Sequence, residues 1–187
     1  YTLYGLNVVT GKREALIQAK QTSSGQGVRY PSLFDVMPQY PNKIIITMNR
    51  MPQFPWRFRD LYWLDLETKR TTKIAEVPDI KNEWHQQWLI DHEGNARGFV
   101  TNHDDRKDRE PNGPRDGLYT YVYLMDPETK KYERMAACKH QEPCFMPLTF
   151  DFDNRMLFGV GQAVNPDGSL DKTCLLYTSD AADDRMR

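Results

Sequence analysis

One stretch of text recurs three times along this chain. Leu3-Tyr4-Gly5-Leu6-Asn7-Val8-Val9-Thr10-Gly11-Lys12 aligns without gaps with Leu61-Tyr62-Trp63-Leu64-Asp65-Leu66-Glu67-Thr68-Lys69-Arg70 and with Val122-Tyr123-Leu124-Met125-Asp126-Pro127-Glu128-Thr129-Lys130-Lys131, at a spacing of about sixty residues. Each copy carries an apolar strand, then Asn or Asp with Thr three residues on, then a more polar strand such as Lys69 to Val77 or Lys130 to Ala136. Asx and Thr side chains bond turn backbone, so each copy predicts a β-hairpin. A second hairpin pattern alternates with the first, in Trp88 to Val100 around Asp91 and in Leu148 to Val160 around Asp151. A looser copy runs from Leu33 through Pro41-Asn42 to Ile46.

Two hairpins per period make four antiparallel strands per unit, and such units repeated at fixed spacing are the signature of propeller blades. The expected fold is all-β, a β-propeller fragment of about three four-stranded antiparallel blades. Its blades are expected at approximately 1–30, 31–80 and 81–140, with the start of the next at 145–173. The period exceeds the roughly 40–45 residues of WD-type blades, an excess carried by long loops at Asn49 to Asp60 and His103 to Gly117. A β-sandwich also suits short strands with turns between them, but it does not predict repeated text. No long amphipathic helix interrupts this pattern; Asp79 to Leu89 has room for one helical turn or two before its strand, with Trp84 and Trp88 on one face.

The chain has 187 residues, 39% hydrophobic and 12% aromatic, which suffices for a packed core. Lys and Arg number 25 against 26 Asp and Glu, a net charge of -1, so neither nucleic acid nor an anionic membrane is indicated as the main partner. No apolar run is long enough to span a bilayer. Tyr1 to Leu6 lacks the make-up of a secretory signal, yet the chain begins at Tyr rather than Met, so periplasmic and cytoplasmic locations both stay open. Cys174-Leu175-Leu176-Tyr177-Thr178-Ser179-Asp180-Ala181-Ala182-Asp183-Asp184 resembles a conceptual translation of a sequencing-library adapter, and residues 174–187 are therefore set aside from the fold.

Cys138-Lys139-His140-Gln141-Glu142-Pro143-Cys144 offers two thiols and an imidazole. Its spacing fits no strong zinc signature, which favours unlinked loop cysteines over a local disulfide, and either over a metal site. The mixed charges of His103 to Glu110, followed by Pro111-Asn112-Gly113-Pro114, suit a solvated loop better than a cation site. Asn165 to Asp171 lacks the Asp spacing of a calcium loop and is expected to be a hairpin turn. Phe54-Pro55-Trp56-Arg57-Phe58-Arg59 interleaves aromatics with arginines, and Trp56, Arg57 and Arg59 are the residues expected to face a peptide.

The order of these features resembles the propeller domain of prolyl-oligopeptidase-family serine peptidases. The resemblance lies in Pro41-Asn42-Lys43-Ile44-Ile45-Ile46, Asn49-Arg50, Arg59-Asp60-Leu61-Tyr62, Leu64-Asp65-Leu66-Glu67-Thr68, Ile90-Asp91-His92-Glu93-Gly94-Asn95-Ala96-Arg97 and the strand Leu118 to Met125. It implies a propeller over a C-terminal α/β-hydrolase domain of the same parent chain, admitting short peptides to a Ser, His and Asp catalytic set. None of that set can be placed here, because Ser23, Ser24, Ser32, Ser169 and Ser179 never sit in Gly-x-Ser-x-Gly. The paired glutamates with which dipeptidyl-type members hold a substrate amine also have no counterpart, since no two glutamates are adjacent. No catalytic, cofactor-binding or metal-binding role is assigned to any residue. A stand-alone propeller binding protein or carbohydrate is the alternative. A propeller that is itself an enzyme is disfavoured by the apolar or blank repeat positions Gly5, Trp63 and Leu124.

Overall fold

The computed structural model describes residues 2–21, 28–50, 59–105, 117–139, 145–164 and 170–174, and the chain divides into two compact units, Tyr1–Asp79 and Ile80–Arg187. In the first unit, β1 (Thr2–Leu6) pairs with β2 (Arg13–Gln18), and the short β3 (Lys20–Gln21) pairs with β4 (Val28–Arg29). A four-stranded antiparallel meander follows, made of β5 (Pro31–Val36), β6 (Lys43–Asn49), β7 (Arg59–Asp65) and β8 (Thr71–Ala75) in that spatial order. The second unit holds an equivalent meander of β9 (Glu83–Ile90), β10 (Ala96–Asp104), β11 (Leu118–Met125) and β12 (Tyr132–Lys139). The hairpins β13 (Met146–Phe150) with β14 (Leu157–Val160), and β15 (Gln162–Val164) with β16 (Leu170–Cys174), come after it. The fold is all-β, and four-stranded antiparallel sheets of this order are consistent with a β-propeller fragment.

The helical turns allowed for at 79–89 are not formed: Glu83–Ile90 is a strand of the second meander. Pairing along β10 decides this, because it satisfies the backbone of an aromatic-rich segment whose Trp88 is only 1% exposed. Cys174, placed by the sequence in the adapter-like tail, ends β16 opposite Gln162; residues 175–187 lie outside the described residues.

The three text repeats fold into one device. Asn7 Oδ1 accepts from the N–H groups of Val9 and Thr10 (3.0 and 2.9 Å), Asp65 from Glu67 and Thr68 (3.1 and 2.7 Å), and Asp126 from Glu128 and Thr129 (2.9 and 2.6 Å). Each Thr Oγ1 then accepts from the N–H two residues on, at Lys12, Arg70 and Lys131. The intervening residue takes left-handed backbone in every copy, with φ of 68° at Gly11, 59° at Lys69 and 58° at Lys130. The Thr68 and Thr129 N–H bonds hold the Asp65 and Asp126 carboxyls below their ordinary values. Each hairpin also carries a β-bulge at the same place, between Leu3 and Tyr4, Leu61 and Tyr62, and Val122 and Tyr123.

Both faces of the meanders are covered, which distinguishes them from an antiparallel sheet with one solvated face. Ile45 and Ile46, pointing to opposite faces of β6, are both 0% exposed. In the first unit, Leu3, Leu16 and Ile17 of the β1–β2 hairpin pack on Ile44, Ile46 and Leu64. In the second unit, Phe150 and Leu157 of the β13–β14 hairpin pack on Leu89, Val100 and Val122. Leu61 is the repeat equivalent of Val122, and Leu61 and Leu64 lie on opposite faces of β7. A hairpin earlier in the chain therefore covers one face of the repeating sheet, and a hairpin later in the chain covers the other.

The second type of hairpin matches less simply than the sequence alignment implies. Asp91 N–H closes on Asn95 O (3.0 Å), whereas Asp151 N–H closes on Met156 O (2.9 Å), a turn longer by one residue. A bulge at Arg97 absorbs the difference, so that Gly98 stands opposite Leu89 as Phe158 stands opposite Thr149, and Gly159 lies one pair further on, opposite Pro147. A Cβ at Gly98 would stand 2.4 Å from Tyr123 O, and one at Gly159 would stand 2.4 Å from the Phe145 ring and 2.5 Å from Met146 O. Both sites are glycine because adjacent chain passes too close for any side chain. Gly98→Ala is expected to destabilise the second unit by about 3 kcal/mol, since the obstruction is backbone that must shift. A loss of unfolding free energy below about 0.3 kcal/mol in urea denaturation would show that β11 can yield.

Candidate functional site

A meander sorts its connections by end. The tight turns after β5, β7, β9 and β11 all lie at one end of their sheets, and the long connections 50–58 and 105–117 leave from the other. Most of the buried polar groups lie toward that second end, Asn49 and Asp60 in the first sheet and Glu83, His85 and Asp104 in the second, while Asp91 is buried at the tight-turn end.

In the first unit the last register pair of β6 and β7 is Asn49 with Arg59, so Arg50 and Arg59 flank the 51–58 segment. Arg50 Nε and Nη2 donate to Asp60 (3.1 and 2.7 Å), and Nη2 also donates to Val77 O (2.6 Å). Val77 N–H donates to Asp60 Oδ1 (3.1 Å), and Tyr30 N–H donates to Asn49 Oδ1 (2.8 Å). Asp60 is 2% exposed, so this forked pair is a charge-assisted clamp in a poorly solvated place. The hydrogen bond to Asp60 raises the Arg50 pKa further. Glu76 extends the network to solvent, 3.1 Å from Arg50 and 2.8 Å from Lys73. The Lys73 hydrogen bond, with Arg50 nearby, holds the Glu76 carboxyl below its ordinary range.

Of the three residues expected to face a peptide, Arg59 stands exposed at the first position of β7, while Trp56 and Arg57 lie outside the described residues. The Arg50–Asp60 clamp had no assigned role in the sequence, although Asn49-Arg50 and Arg59-Asp60 stood out as features.

In the second unit Glu83, 7% exposed, accepts from Thr101 Oγ1 (2.6 Å) and from the Tyr123 hydroxyl (2.9 Å). Both carboxylate oxygens are thus occupied by donors from β10 and β11. The signal for it is a lone acid opening an aromatic strand, Glu83-Trp84-His85-Gln86-Gln87-Trp88. Tyr119, Tyr121 and Tyr123 project from one face of β11, with the Arg134 guanidinium 4.7 Å from the Tyr121 ring centre and His103 5.5 Å from it. Burial pushes the Tyr121 phenol up, and burial together with the Glu83 bond pushes Tyr123 up further. Burial alone lifts Tyr132 to about 12. These phenols remain neutral donors through the physiological range.

A raised tyrosine pKa contributes stability that is fully present below the unfolded value of about 10 and is lost as pH climbs through the folded value. The free energy of unfolding is therefore expected to fall between pH 10 and about 12, the folded value for Tyr132. Denaturation series at stepped alkaline pH would show it, and a flat profile would contradict the burial of these hydroxyls.

Cys138 is disulfide-bonded, which corrects the preference for unlinked cysteines; His140 and Cys144 lie outside the described residues. Among the described residues no group of three or more His, Cys, Asp or Glu side chains is placed to hold a metal ion. Nor is any helix there long and apolar enough to cross a membrane.

No family model matches this chain. No curated protein matches it either. Among solved structures it is similar to TolB from Acinetobacter baumannii, with a TM-score of 0.41 and 14% identity, over 94% of this chain and 37% of that one. It is also similar to an oligogalacturonate lyase in complex with manganese, with a TM-score of 0.38 and 13% identity, over 90% of this chain and 58% of that one. The chain spans less than two thirds of the length of either.

Proposed function

We propose that this segment belongs to the non-catalytic propeller of a prolyl-oligopeptidase-type serine peptidase, where it restricts access of short peptides to an α/β-hydrolase domain elsewhere in the parent chain. The blades would divide at approximately 31–80 and 81–140, with parts of others before and after. The observation that carries the reading is the placement of the family-like features on the meanders. Asn49-Arg50 and Arg59-Asp60 stand at the two feet of one long connection, tied by the buried Arg50–Asp60 clamp. A cationic side chain held on such a foot, as Arg59 is, suits a peptide's carboxyl group. The division of labour fits the sequence too, since the chain carries no Gly-x-Ser-x-Gly elbow.

The test is made on the full-length parent protein. A fluorophosphonate probe should label a serine downstream of this segment, and the protein should cleave short peptides while sparing a folded protein substrate. Trp56→Ala, Arg57→Ala and Arg59→Ala should raise KM or relax the size limit with kcat little changed. A parent protein that ends soon after its last blade, takes no label and cleaves no peptide would instead support a stand-alone binding module.

A further inference from the structure

We propose that Arg134, seated on the Tyr121 ring, is a binding site for the carboxylate of a small aromatic ligand. The two meanders are copies of one unit, so their equivalent positions can be compared one by one. The text repeat sets Asp60, Lys73 and Glu76 of the first unit level with Tyr121, Arg134 and Ala137 of the second, and strand pairing sets Arg50 level with His103. In the first unit these positions hold two cations and two carboxylates in a closed network, Arg50 with Asp60 and Glu76, and Lys73 with Glu76. In the second unit neither carboxylate is present. Arg134 keeps its charge, lies 4.7 Å from the Tyr121 ring centre, and pairs with no carboxylate among the described residues. Glu83, on the same face, is held by the Thr101 and Tyr123 hydroxyls instead.

A guanidinium lying on an aromatic face is oriented without spending its N–H groups, so its planar fork stays open to a carboxylate. The Arg50 fork of the first unit, by contrast, is already filled by Asp60. Ala137, across from Tyr121, and Arg134, across from Tyr123, share the face from which the tyrosines project, and both are exposed. Where the first unit has the Glu76 carboxylate, the second therefore has a methyl group open to solvent. Tyr119 stacks on Tyr121 at 5.9 Å, and His103 lies 6.3 and 5.5 Å from the two rings. These three side chains are only partly buried. The ligand that matches them is a carboxylate carrying a flat ring, the acid entering the Arg134 fork and the ring lying against Tyr119 and Tyr121.

The probe is N-acetylphenylalanine, titrated into the full chain beside its amide, which has the same ring and no charge. NMR of the arginine Nε–H and tyrosine ring signals reports the site. The acid should bind with a Kd of about 1 mM and move the Arg134 and Tyr121 signals. The amide should bind roughly tenfold more weakly. Arg134→Gln should weaken the acid roughly tenfold, and Arg134→Lys nearly as much, since an ammonium has the charge without the fork. Ala137→Glu supplies the missing carboxylate from the chain itself and should also weaken the acid roughly tenfold, with Arg134 still present. Lys73→Gln, at the equivalent position whose cation is already paired with Glu76, should bind the acid as the parent does. The proposal is overturned by the absence of a saturable shift, by equal binding of acid and amide, by unchanged affinity in Arg134→Gln or Ala137→Glu, or by an equal loss in Lys73→Gln. Arg134→Gln removes a charge and Ala137→Glu adds the opposite one, so if the backbone amide spectrum shows one variant misfolded, the other decides.

Discussion

Replacing Arg50 with alanine is expected to destabilise the first unit by about 3 kcal/mol, the cost of leaving a buried carboxylate without its counter-charge. Asp60 would keep only the Val77 N–H among the donors described here, in a site where it is 2% exposed. Arg50 itself is about a quarter exposed, at 25%, so water can enter the vacated space and holds the loss near the lower end for a broken buried pair. The control is the double replacement Arg50→Met with Asp60→Leu, which removes both charges and should recover most of the stability. Urea denaturation of the two variants beside the parent decides the matter. If the single and double replacements lose the same amount, packing rather than charge pairing holds the foot of the 51–58 connection. If neither loses any, the clamp does not bear on the fold.

Phe99→Ala should have the larger effect, about 4 kcal/mol. Phe99 is 0% exposed and is ringed by aromatic neighbours: Tyr123 stacked at 4.8 Å, Tyr132 edge-on at 4.9 Å and Trp88 edge-on at 5.7 Å. Truncation opens a cavity bounded by rigid rings on three strands, which cannot collapse by rotating one flexible side chain. A second readout separates this from a general loosening. Tyr132 owes its raised pKa to burial alone, so admission of water beside it should bring that value down from about 12 toward the ordinary 10. Spectrophotometric titration of the variant below its unfolding transition measures this directly. An unchanged tyrosine titration together with a stability loss under 1 kcal/mol would mean that the cluster repacks.

The strands of the meanders could be anticipated because their information is local. A run such as Lys43-Ile44-Ile45-Ile46 has few ways to hide both sides except as an inner strand. The turn Asp65-Leu66-Glu67-Thr68-Lys69 bonds to itself within five residues, so its copies at Asn7 and Asp126 announce it wherever they occur. The one or two helical turns allowed for within 79–89 did not form, for the complementary reason. Trp84 and Trp88 would share a face in a helix, but the pairing with β10 makes the segment a strand with a bulge at Gln86 that sets them on opposite faces, and β10 lies outside a window of local sequence.

The polar groups were the least legible. Asp60 and Glu83 look like any other acids in the chain, yet they are buried because Arg50, ten residues away, and Tyr123, forty residues away, supply donors to them. The bulges at Leu61–Tyr62 and Val122–Tyr123 were equally silent, since an extra residue in one strand shows only against the strand beside it.

What the amino-acid order determined by itself was the repeating unit: alternating apolar residues that must pair as strands, and Asx-Thr turns that close by bonds to their own backbone. What tertiary structure alone decided was which charges go inside, where glycine is compulsory and how Cys138 is bonded. Each of these depends on atoms remote in sequence coming within bonding or colliding distance. The donor for Asp60 and the carbonyl that crowds Gly98 exist as neighbours only after the strands have paired.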